Sequence, residues 1–322
     1  MIDITEKGAA LRAASEGRFN ELPVHNPDVE CCSRERIRAI QLEKLIAQVE
    51  WTYGRVAWYR DQMDEMGVKP SDIKCLEDVR KLPFTDKHAL RKTFPYGMFA
   101  VPLDEVVELH SSSGTTGKPI VVAITATTWM FGTIASCDWC RWRASCLRSR
   151  ADGVRVRHVH RRFRLALRPA ASWLHDDPAG SGNTERQIQM IQDYGTTVLV
   201  ATPSYAMHIC EVGEKMGYDW ETSTLRVRFV RWRAVPSGLK AEIESRMHIV
   251  CTDNYGLTEV MGPGVSGECL AERDMQHIAE DHSCGKWLTP KPANLLPMVR
   301  WGELVLTPLD QAGNSGSALS HA

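Results

Sequence analysis

A run of small hydroxyl residues and glycines constrains this chain more than any other part of its sequence. Residues 111–118 read Ser-Ser-Ser-Gly-Thr-Thr-Gly-Lys, and the apolar run 120–124 follows shortly after. The first run has no large side chain with which to build a core and few acceptors for its own backbone N–H groups. This predicts a loop that wraps a ligand rich in oxygen atoms. The apolar run predicts a short buried β-strand. A loop between two strands favours the binding of a nucleotide phosphate.

The loop differs from the common phosphate loop of nucleotide-binding proteins. That pattern has four residues between its two glycines and a Ser or Thr after its lysine. Here only two residues separate Gly114 from Gly117, and Ser112 stands where the first glycine would be. Lys118 is followed by Pro119. The chemistry is still suited to phosphate, because glycines allow close backbone approach, hydroxyls donate hydrogen bonds and lysine supplies a mobile charge. A solvated Ser/Gly linker is the alternative interpretation.

The overall composition is that of a globular protein. With 322 residues the chain exceeds one typical domain, and 43% of its residues are hydrophobic and 25% charged. The net charge of −1 gives no bias toward nucleic acid or a membrane surface. No apolar run has the length of about 18 residues that a membrane span needs. Ten cysteines occur without an export signal, so we expect a cytoplasmic protein with reduced thiols and no membrane or nucleic-acid partner.

Three helices are predicted from start signals and spacing. Ser33 is a suitable N-cap for the first helix, which we expect to continue to about Met66 and to stop at Gly67. Thr85 is the predicted cap of a second, short helix, and 238–247 predicts a third. The first helix carries an apolar stripe at helical spacing, formed by Leu42, Leu45, Ile46 and Val49.

Several longer motifs occur in a fixed order along the chain. They are LPFTDKHALRKTFPYGMFAVP at 82–102, SSSGTTGKP at 111–119, SGNTERQIQMIQDY at 181–194, ATPSYAMHI at 201–209, DNYGLTEVMGPGVSGEC at 253–269, HIAEDH at 277–282 and GELVLTPL at 302–309. In sequence and order they resemble the phenylacetate–CoA ligases, one branch of the adenylate-forming (acyl-CoA synthetase) superfamily. The resemblance covers residues 30–125, 180–226 and 237–309. So many ordered motifs are far more specific than the loop alone.

The resemblance implies a fold and a set of ligands. The fold is α/β, the large N-terminal domain of adenylate-forming enzymes, with mixed sheets and flanking helices. The ligands are ATP, Mg²⁺ and coenzyme A. Carried over position by position, the implied nucleotide-binding residues are Ser111, Ser112, Ser113, Gly114, Thr115, Thr116, Gly117, Lys118, Asp253, Tyr255, Gly256 and Thr258.

Individual roles follow from the same resemblance. It implies that Tyr255 stacks on adenine, that Thr258 contacts the α-phosphate and that Glu259 helps to hold Mg²⁺. Lys118, Thr258 and Glu259 are the implied catalytic residues, and Glu259 is the implied metal ligand. A carboxylate together with phosphate oxygens suits Mg²⁺, which keeps several waters. The alternative for the sequence Tyr-Gly-Leu-Thr-Glu is a plain turn after a strand.

The implied reaction has two halves. The carboxylate of an aryl acid such as phenylacetate attacks the α-phosphorus of ATP, and the coenzyme A thiolate then displaces AMP from the acyl-adenylate. No covalent enzyme intermediate forms, so catalysis is positioning and electrostatic stabilisation. This agrees with the lack of a convincing nucleophile–base pair in the sequence. The resemblance places the activity in aromatic-compound catabolism, with a small-molecule aryl acid as partner. The sequence leaves the oligomeric state open, with a homodimer as one option.

Two segments, 128–180 and 226–236, depart from the family pattern. Between Arg141 and Arg168 there are ten arginines and no lysine. One interpretation is binding of RNA or another polyanion. The interpretation favoured by the abrupt return of family motifs after each segment is translation out of frame, in which case the segments should pack poorly. A third interpretation is zinc binding by Cys137, Cys140, His158 and His160.

A second zinc hypothesis concerns a cluster of potential ligands late in the chain. Its members are Cys269, His277, His282 and Cys284. Cys284, however, falls in SCGKWLTPKPANLLPMVRW at 283–301, another stretch that departs from the family.

After residue 309 the sequence is rich in Gly and Ser, where the family continues into a hinge aspartate and a C-terminal lid domain. The resemblance therefore implies that 1–322 is an incomplete N-terminal AMP-binding domain without the lid. For a polypeptide of this extent we expect at most a trace of acid–CoA ligation. A nucleotide-binding remnant without ligase activity is the alternative function, and an Arg-rich RNA-binding protein is a further one.

Overall fold

The structure is a computed structural model, and it describes residues 27–111, 119–128, 154–158, 174–178, 183–225, 227–231, 237–257, 259–260, 262–268, 276–288, 303–309 and 319–321. Two compact units are present. The sheet unit contains Thr133–Gly256 and Ser266–His277, and the hairpin unit contains Pro27–Gly132, Leu257–Val265 and Ile278–Ala322.

The hairpin unit begins with helices. They are α1 (Pro27–Glu30), α2 (Arg34–Arg55), α3 (Ala57–Glu65) and α4 (Lys87–Lys92), with short 3₁₀ helices at Pro70–Asp72, Leu76–Lys81 and Leu103–Glu105. The predicted N-cap is confirmed, because the Ser33 side chain accepts a hydrogen bond from the Arg36 N–H at 3.2 Å. A left-handed Gly67, with φ of +69°, follows the end of α3, also as predicted.

The prediction of one unbroken helix up to Met66 is wrong. Val56 is extended, with φ −111° and ψ 110°, and it separates α2 from α3. Val56 is also buried and packs in a cluster with Tyr59, Leu90 and Ile120. Valine is β-branched and has a low helix propensity, so leaving the helical conformation at Val56 costs little. The burial of its side chain stabilises the bend between α2 and α3.

The apolar stripe of α2 faces the core of the hairpin unit, as predicted. Leu45 and Val49 are fully buried, and Leu42 and Ile46 pack beside them. The same core includes residues of α3 and of the segment after it, together with two residues from much later in the sequence. Its other members are Met63, Ile73, Leu76, Val79, Leu82, Cys284 and Leu309.

The cap of α4 was predicted one residue too early. Asp86 is the N-cap, since its carboxylate accepts the Ala89 N–H at 2.8 Å. Thr85 is instead buried, and its hydroxyl hydrogen-bonds to the Tyr59 hydroxyl. Both residues are good capping types, so the choice between them depends on the buried tyrosine, which sequence spacing does not reveal.

Two small antiparallel sheets complete the hairpin unit. Strand β1 (Val106–Ser111) pairs with β2 (Val121–Thr125). Strands β10 (Ser283–Leu288), β11 (Glu303–Pro308) and β12 (Leu319–His321) form the other sheet in the order β10-β11-β12. The buried strand predicted after the loop at 111–118 is therefore confirmed.

The sheet unit is built on parallel strands with helices between them. The strands are β3 (Val154–His158), β4 (Leu174–Pro178), β5 (Val198–Ala201), β6 (Val227–Arg231) and β7 (Val250–Leu257). The helices are α5 (Thr184–Tyr194), α6 (Pro203–Lys215) and α7 (Ser237–Met247), of which α7 matches the helix predicted at 238–247. With β8 (Gly262–Glu268) and β9 (Gln276–Ile278), the strand order is β4-β3-β5-β6-β7-β8-β9.

Parts of the two atypical segments lie within this sheet. Strands β3 and β4 fall in 128–180, and β6 falls in 226–236. Strand β6 pairs in parallel with both β5 and β7, so it is an interior strand. Most of 128–180 lies outside the described residues, including Cys137, Cys140 and His160 of the first zinc hypothesis.

The six cysteines that the structure describes form no disulfide with one another. None of the helices in the described part of the chain combines the length and the apolar character needed to cross a bilayer.

The core of the sheet unit is tight around Trp220. This residue is 5% exposed, donates its indole N–H to the Cys210 carbonyl at 3.3 Å and makes an edge contact with the Tyr218 ring. A Cβ added to Gly213 would lie 2.4 Å from Cζ2 of Trp220. Close packing of this kind leaves no room for a methyl group.

We expect Gly213→Ala to destabilise the protein although it lies in helix α6. Helix propensity alone favours Ala by about 1 kcal/mol, but overpacking a tight core costs about 1–3 kcal/mol. The clash should win, and it should lower the midpoint of urea unfolding. The control is Gly54→Ala in α2, where an added Cβ meets nothing within 4 Å and should stabilise the helix by up to about 1 kcal/mol. Equal stabilisation by both substitutions would contradict this description of the core.

The Asp78 side chain stabilises the segment between α3 and α4. The Lys81 ammonium 2.9 Å away and the N–H groups of Lys74 and Cys75 hold the pKa of the Asp78 carboxyl well below its usual range. A carboxyl whose pKa is lower in the folded state stabilises that state above its unfolded pKa, and the stabilisation is lost as the pH falls. Asp78→Asn should therefore lower the melting temperature at pH 7, with a difference from wild type that shrinks below about pH 4.

Thermal melts between pH 2 and pH 7 test this expectation. The control is Asp61→Asn, at an exposed position on α3, which should melt with the wild type throughout. A difference for Asp78→Asn that stays constant down to the lowest pH would show that the carboxylate's charge is not what stabilises this segment.

Candidate active site

The ends of the Ser/Thr/Gly loop are held together by the β1–β2 hairpin. Ser111 pairs with Val121, and His110 pairs with Val122. Ile120, just after the loop, is 1% exposed and anchors its far end in the core. The two strands predicted on either side of the loop are thus confirmed. Ser111 is exposed at the end of β1, and residues 112–118, which include Lys118, lie outside the described residues.

The second predicted motif lies on β7 and the turn after it. Asp253 pairs with Val230 in the parallel register of β6 and β7, and Tyr255 and Gly256 follow near the carboxyl end of the strand. Ligands of open parallel sheets bind at the carboxyl ends of the strands. The structure therefore brings Asp253, Tyr255 and Gly256 to the edge of the sheet unit where a nucleotide is expected.

Glu259 lies on a tight turn. The Val260 N–H donates to the Leu257 carbonyl at 3.1 Å, and the same two residues form an isolated β-bridge. Glu259 is 6% exposed. Thr258 lies outside the described residues. A carboxylate buried on a short turn has little conformational freedom, which suits a group that must act at a fixed position.

The predicted residues are shared between the two units. Ser111 and Glu259 belong to the hairpin unit, and Asp253, Tyr255 and Gly256 belong to the sheet unit. The hairpin unit by itself thus carries the base of the loop and a buried carboxylate, and the sheet unit by itself carries the end of a parallel strand.

A buried ion pair beside Asp253 was missed in the sequence. Lys240 of α7 lies 2.6 and 2.8 Å from the two carboxylate oxygens of Glu268 on β8. Both residues are buried, at 7% and 1% exposure. Glu268 also accepts the backbone N–H of Asp253 at 2.7 Å. Nothing in the spacing of Lys240 and Glu268 connects them, because they are 28 residues apart on different elements.

The described residues add no ligand cluster to either zinc hypothesis. Within the described ranges, no group of three or more His, Cys, Asp or Glu side chains lies close enough to hold a metal ion. That search includes His277, His282 and Cys284 of the second hypothesis, whereas Cys269 is outside the described residues. Burial raises the pKa of the Cys284 thiol, so this thiol is also a poor source of the thiolate that zinc requires.

A cavity of about 420 Å³ lies elsewhere in the sheet unit. It is lined by residues of α5 and of the segment between α6 and β6, among them Gln192, Asp219 and Thr222. These residues precede β5 and β6, so the cavity is at the amino ends of the parallel strands. Ligands of such sheets bind at the opposite ends, and none of the predicted site residues lines this cavity.

Comparisons with known proteins agree on the class of fold. The structure is similar to the open conformation of 2-hydroxyisobutyryl-CoA ligase in complex with 2-HIB-AMP and CoA, with a TM-score of 0.78 and 21% identity. The match covers 88% of this chain and 64% of that ligase. A long-chain-fatty-acid-CoA ligase from Archaeoglobus fulgidus matches 65% of this chain with a TM-score of 0.52. The fold is therefore that of the adenylate-forming CoA ligases, as predicted.

Sequence comparison narrows the class to a family. The phenylacetate-coenzyme A ligase of Aromatoleum evansii is 37% identical over 305 residues, which is 89% of this chain and 67% of the relative. The enzyme of Pseudomonas putida is 37% identical over 292 residues, and that of Escherichia coli K12 is 35% identical over 291 residues. No protein-family model matches. This chain belongs to the phenylacetate–CoA ligases, which are acid–thiol ligases, and it spans about two thirds of the length of these relatives.

Proposed function

We propose that this chain provides the adenylation site of a phenylacetate–CoA ligase. The activity is ATP-dependent adenylation of phenylacetate or a similar aryl acid, followed by transfer of the acyl group to coenzyme A. The observation that carries the proposal is the 37% identity to phenylacetate-coenzyme A ligases over 88–89% of the chain. The β1–β2 hairpin and the end of β7 support it, because each proposed nucleotide motif adjoins the end of a described strand.

Both chemical steps are substitutions in which the protein forms no bond with the substrate. A carboxylate oxygen of the acid attacks the α-phosphorus of ATP, the bond from that phosphorus to the bridging oxygen breaks, and pyrophosphate leaves. The coenzyme A thiolate then attacks the acyl carbon, and AMP leaves with the oxygen of the broken C–O bond. Positioning and charge stabilisation are the whole contribution of the protein.

The loop at 111–118 is the proposed grip on the phosphates. Its hydroxyl and backbone N–H groups donate to phosphate oxygens, and Lys118 offsets the charge of the leaving pyrophosphate. The hairpin supports this role because the pairing of Ser111 with Val121 brings the two flanks of the run together. The hydroxyl-bearing members of this grip are Ser111, Ser112, Ser113, Thr115 and Thr116.

The end of β7 is the proposed grip on the nucleoside and the α-phosphate. Tyr255 presents an aromatic face to adenine, Gly256 allows close approach, and Thr258 donates to the α-phosphate. Asp253 lies on the same strand, where its backbone is fixed by Glu268. The strand supports this arrangement because its carboxyl end is the usual ligand edge of a parallel sheet.

Glu259 is the proposed ligand for Mg²⁺. Mg²⁺ in nucleotide sites takes one or two carboxylates, with substrate phosphates and water completing the shell. A single buried carboxylate on a tight turn fits that donor set. When bound, the ion neutralises phosphate charge.

The remaining parts of the proposal concern cellular setting and assembly. We place the enzyme in the cytoplasm, in the catabolism of aromatic compounds, with small molecules as its partners. The homodimer is tested by light scattering on the eluting peak of a size-exclusion column, where a single-chain mass of 36.2 kDa would exclude it.

Binding of acyl-adenylate mimics tests the proposed function. Phenylacetyl-sulfamoyl adenosine keeps the shape of the intermediate and cannot react. Calorimetry should show that the protein binds it at least about tenfold more tightly than the acetyl analogue, because a buried ring adds apolar contact area. Equal affinity for both mimics would contradict the aryl-acid substrate, and no binding of either would contradict the adenylation site.

A further inference from the structure

Two carboxylates bind the backbone along one edge of β7. The Cys251 N–H donates to Glu244 of α7 at 2.8 Å, and the Asp253 N–H donates to Glu268 of β8 at 2.7 Å. Residues 251 and 253 are two apart in a strand, so their N–H groups leave it on the same side. The opposite neighbour of this strand is β6, which pairs with β7 in parallel. Side chains thus fix the position of β7 at the residues just before Tyr255.

The position of Lys240 is electrostatically unfavourable for a charged ammonium group. Lys240 lies in the first turn of α7, where the helix dipole disfavours a cation, and it is 7% exposed. Its compensation is Glu268, with both carboxylate oxygens within 2.8 Å. A buried pair of this kind is seldom more stabilising than apolar side chains of the same size. Stability of the fold alone therefore gives little reason to bury this pair beside the nucleotide motif.

We propose that Lys240 and Glu268 are positioning residues for the nucleotide site. Lys240 holds the Glu268 carboxylate in the orientation that accepts the Asp253 N–H, and this bond sets the position of β7 and hence of Tyr255 under the adenine. The inference rests on the proposed function, because it requires that β7 carries the nucleoside grip. It concerns residues of the sheet unit only.

Two double variants isolate the bond to Asp253. Lys240→Met with Glu268→Gln removes both charges but keeps a side-chain oxygen that accepts the Asp253 N–H. Lys240→Met with Glu268→Leu removes both charges and the acceptor. Since neither leaves a buried charge uncompensated, the two differ mainly in that one hydrogen bond. Calorimetry with ATP at low temperature measures affinity, and thermal melts of the same samples measure stability.

We expect the Gln double variant to bind ATP a fewfold more weakly than wild type, because Lys240 no longer orients its acceptor oxygen. The Leu double variant should bind about tenfold more weakly than the Gln double variant, since small misplacements at reactive sites are costly. If the Leu variant does not fold, Glu268→Asp replaces it. That change keeps a negative charge for Lys240 but withdraws the oxygen from Asp253 by one methylene, and it should weaken ATP binding in the same direction.

The outcomes separate this inference from the proposed function. Wild-type protein that binds no ATP overturns both. Wild-type protein that binds ATP, with Gln and Leu double variants of equal affinity and only their melting temperatures changed, overturns the positioning role and leaves the proposed function in place. If Glu268→Asp is used, ATP affinity equal to that of wild type overturns the positioning role.

Discussion

Replacing Lys118 with alanine should weaken ATP binding by about 10- to 150-fold, which corresponds to about 1.5–3 kcal/mol for lost charge-assisted hydrogen bonds. The expectation follows from a loop whose two ends leave a paired hairpin and whose lysine is the only one in the run 111–118. The loss should grow at low ionic strength, because salt screens the interaction of a lysine with phosphate. Calorimetric titration with ATP and Mg²⁺ measures it.

The matched control for this substitution is Lys92→Ala. Lys92 is exposed at the end of α4 in the same unit. Lys92→Ala changes the net charge by the same amount as Lys118→Ala. It therefore controls for the general electrostatic attraction of ATP to the protein. If Lys118→Ala and Lys92→Ala bind ATP as wild type does, the loop is a solvated linker and not a phosphate grip.

Glu259→Gln should weaken ATP binding about 10- to 100-fold when Mg²⁺ is present, since even indirect changes at metal sites have effects of that size. Gln keeps the shape of the side chain but removes the charge that attracts the ion. In the absence of Mg²⁺ the same substitution should change ATP affinity little, or improve it slightly, because a carboxylate near phosphate is then only repulsive. The ratio of the two affinities is therefore the informative quantity.

Titrations with Mg²⁺ and with excess chelator supply that ratio for wild type and Glu259→Gln. The control is Glu105→Gln, at an exposed position before β1, which should leave the ratio unchanged. A Glu259→Gln effect of the same size with and without Mg²⁺ would assign this buried carboxylate a structural role.

Local signals in the sequence predicted much of the fold. The Ser33 cap, the stripe that includes Leu45 and Val49, and the strand after the loop depend on neighbours within a few residues. A cap needs only a side-chain oxygen beside a free N–H, and a stripe needs only helical spacing. The loop at 111–118 was predicted from residue types that suit phosphate. The roles of Tyr255, Thr258 and Glu259 come from the family resemblance, because their run by itself suits a plain turn equally well.

The features that were missed depend on distant packing. The break at Val56 and the choice of Asp86 as the cap instead of Thr85 follow from burial against Tyr59, which spacing along the chain does not show. The pair of Lys240 and Glu268 joins a helix to a strand 28 residues later. Long-range pairs of this kind form only once the sheet has brought their elements together.

Strand β6 lies in a segment whose composition departs from the family. Although 226–236 is expected to pack poorly if it is translated out of frame, Val227–Arg231 lies between two strands of the sheet. Sheet pairing uses backbone groups, so a segment of unusual composition can still occupy an interior position. Composition alone was therefore a poor guide to where the chain runs at this point.

Photoaffinity labelling with 2-azido-ATP tests the central claim most directly, because the reactive group is on the adenine ring. The account predicts that labelling is prevented by excess ATP and that mass spectrometry finds the modified peptide at 250–260, around Tyr255. Tyr255→Ala should reduce the label at this peptide, since stacking on an aromatic ring is worth about 1–3 kcal/mol. ATP-protected labelling confined to the arginine-rich residues 141–168, or to the segment 216–224 that contributes to the cavity, would contradict a nucleotide site at the end of β7.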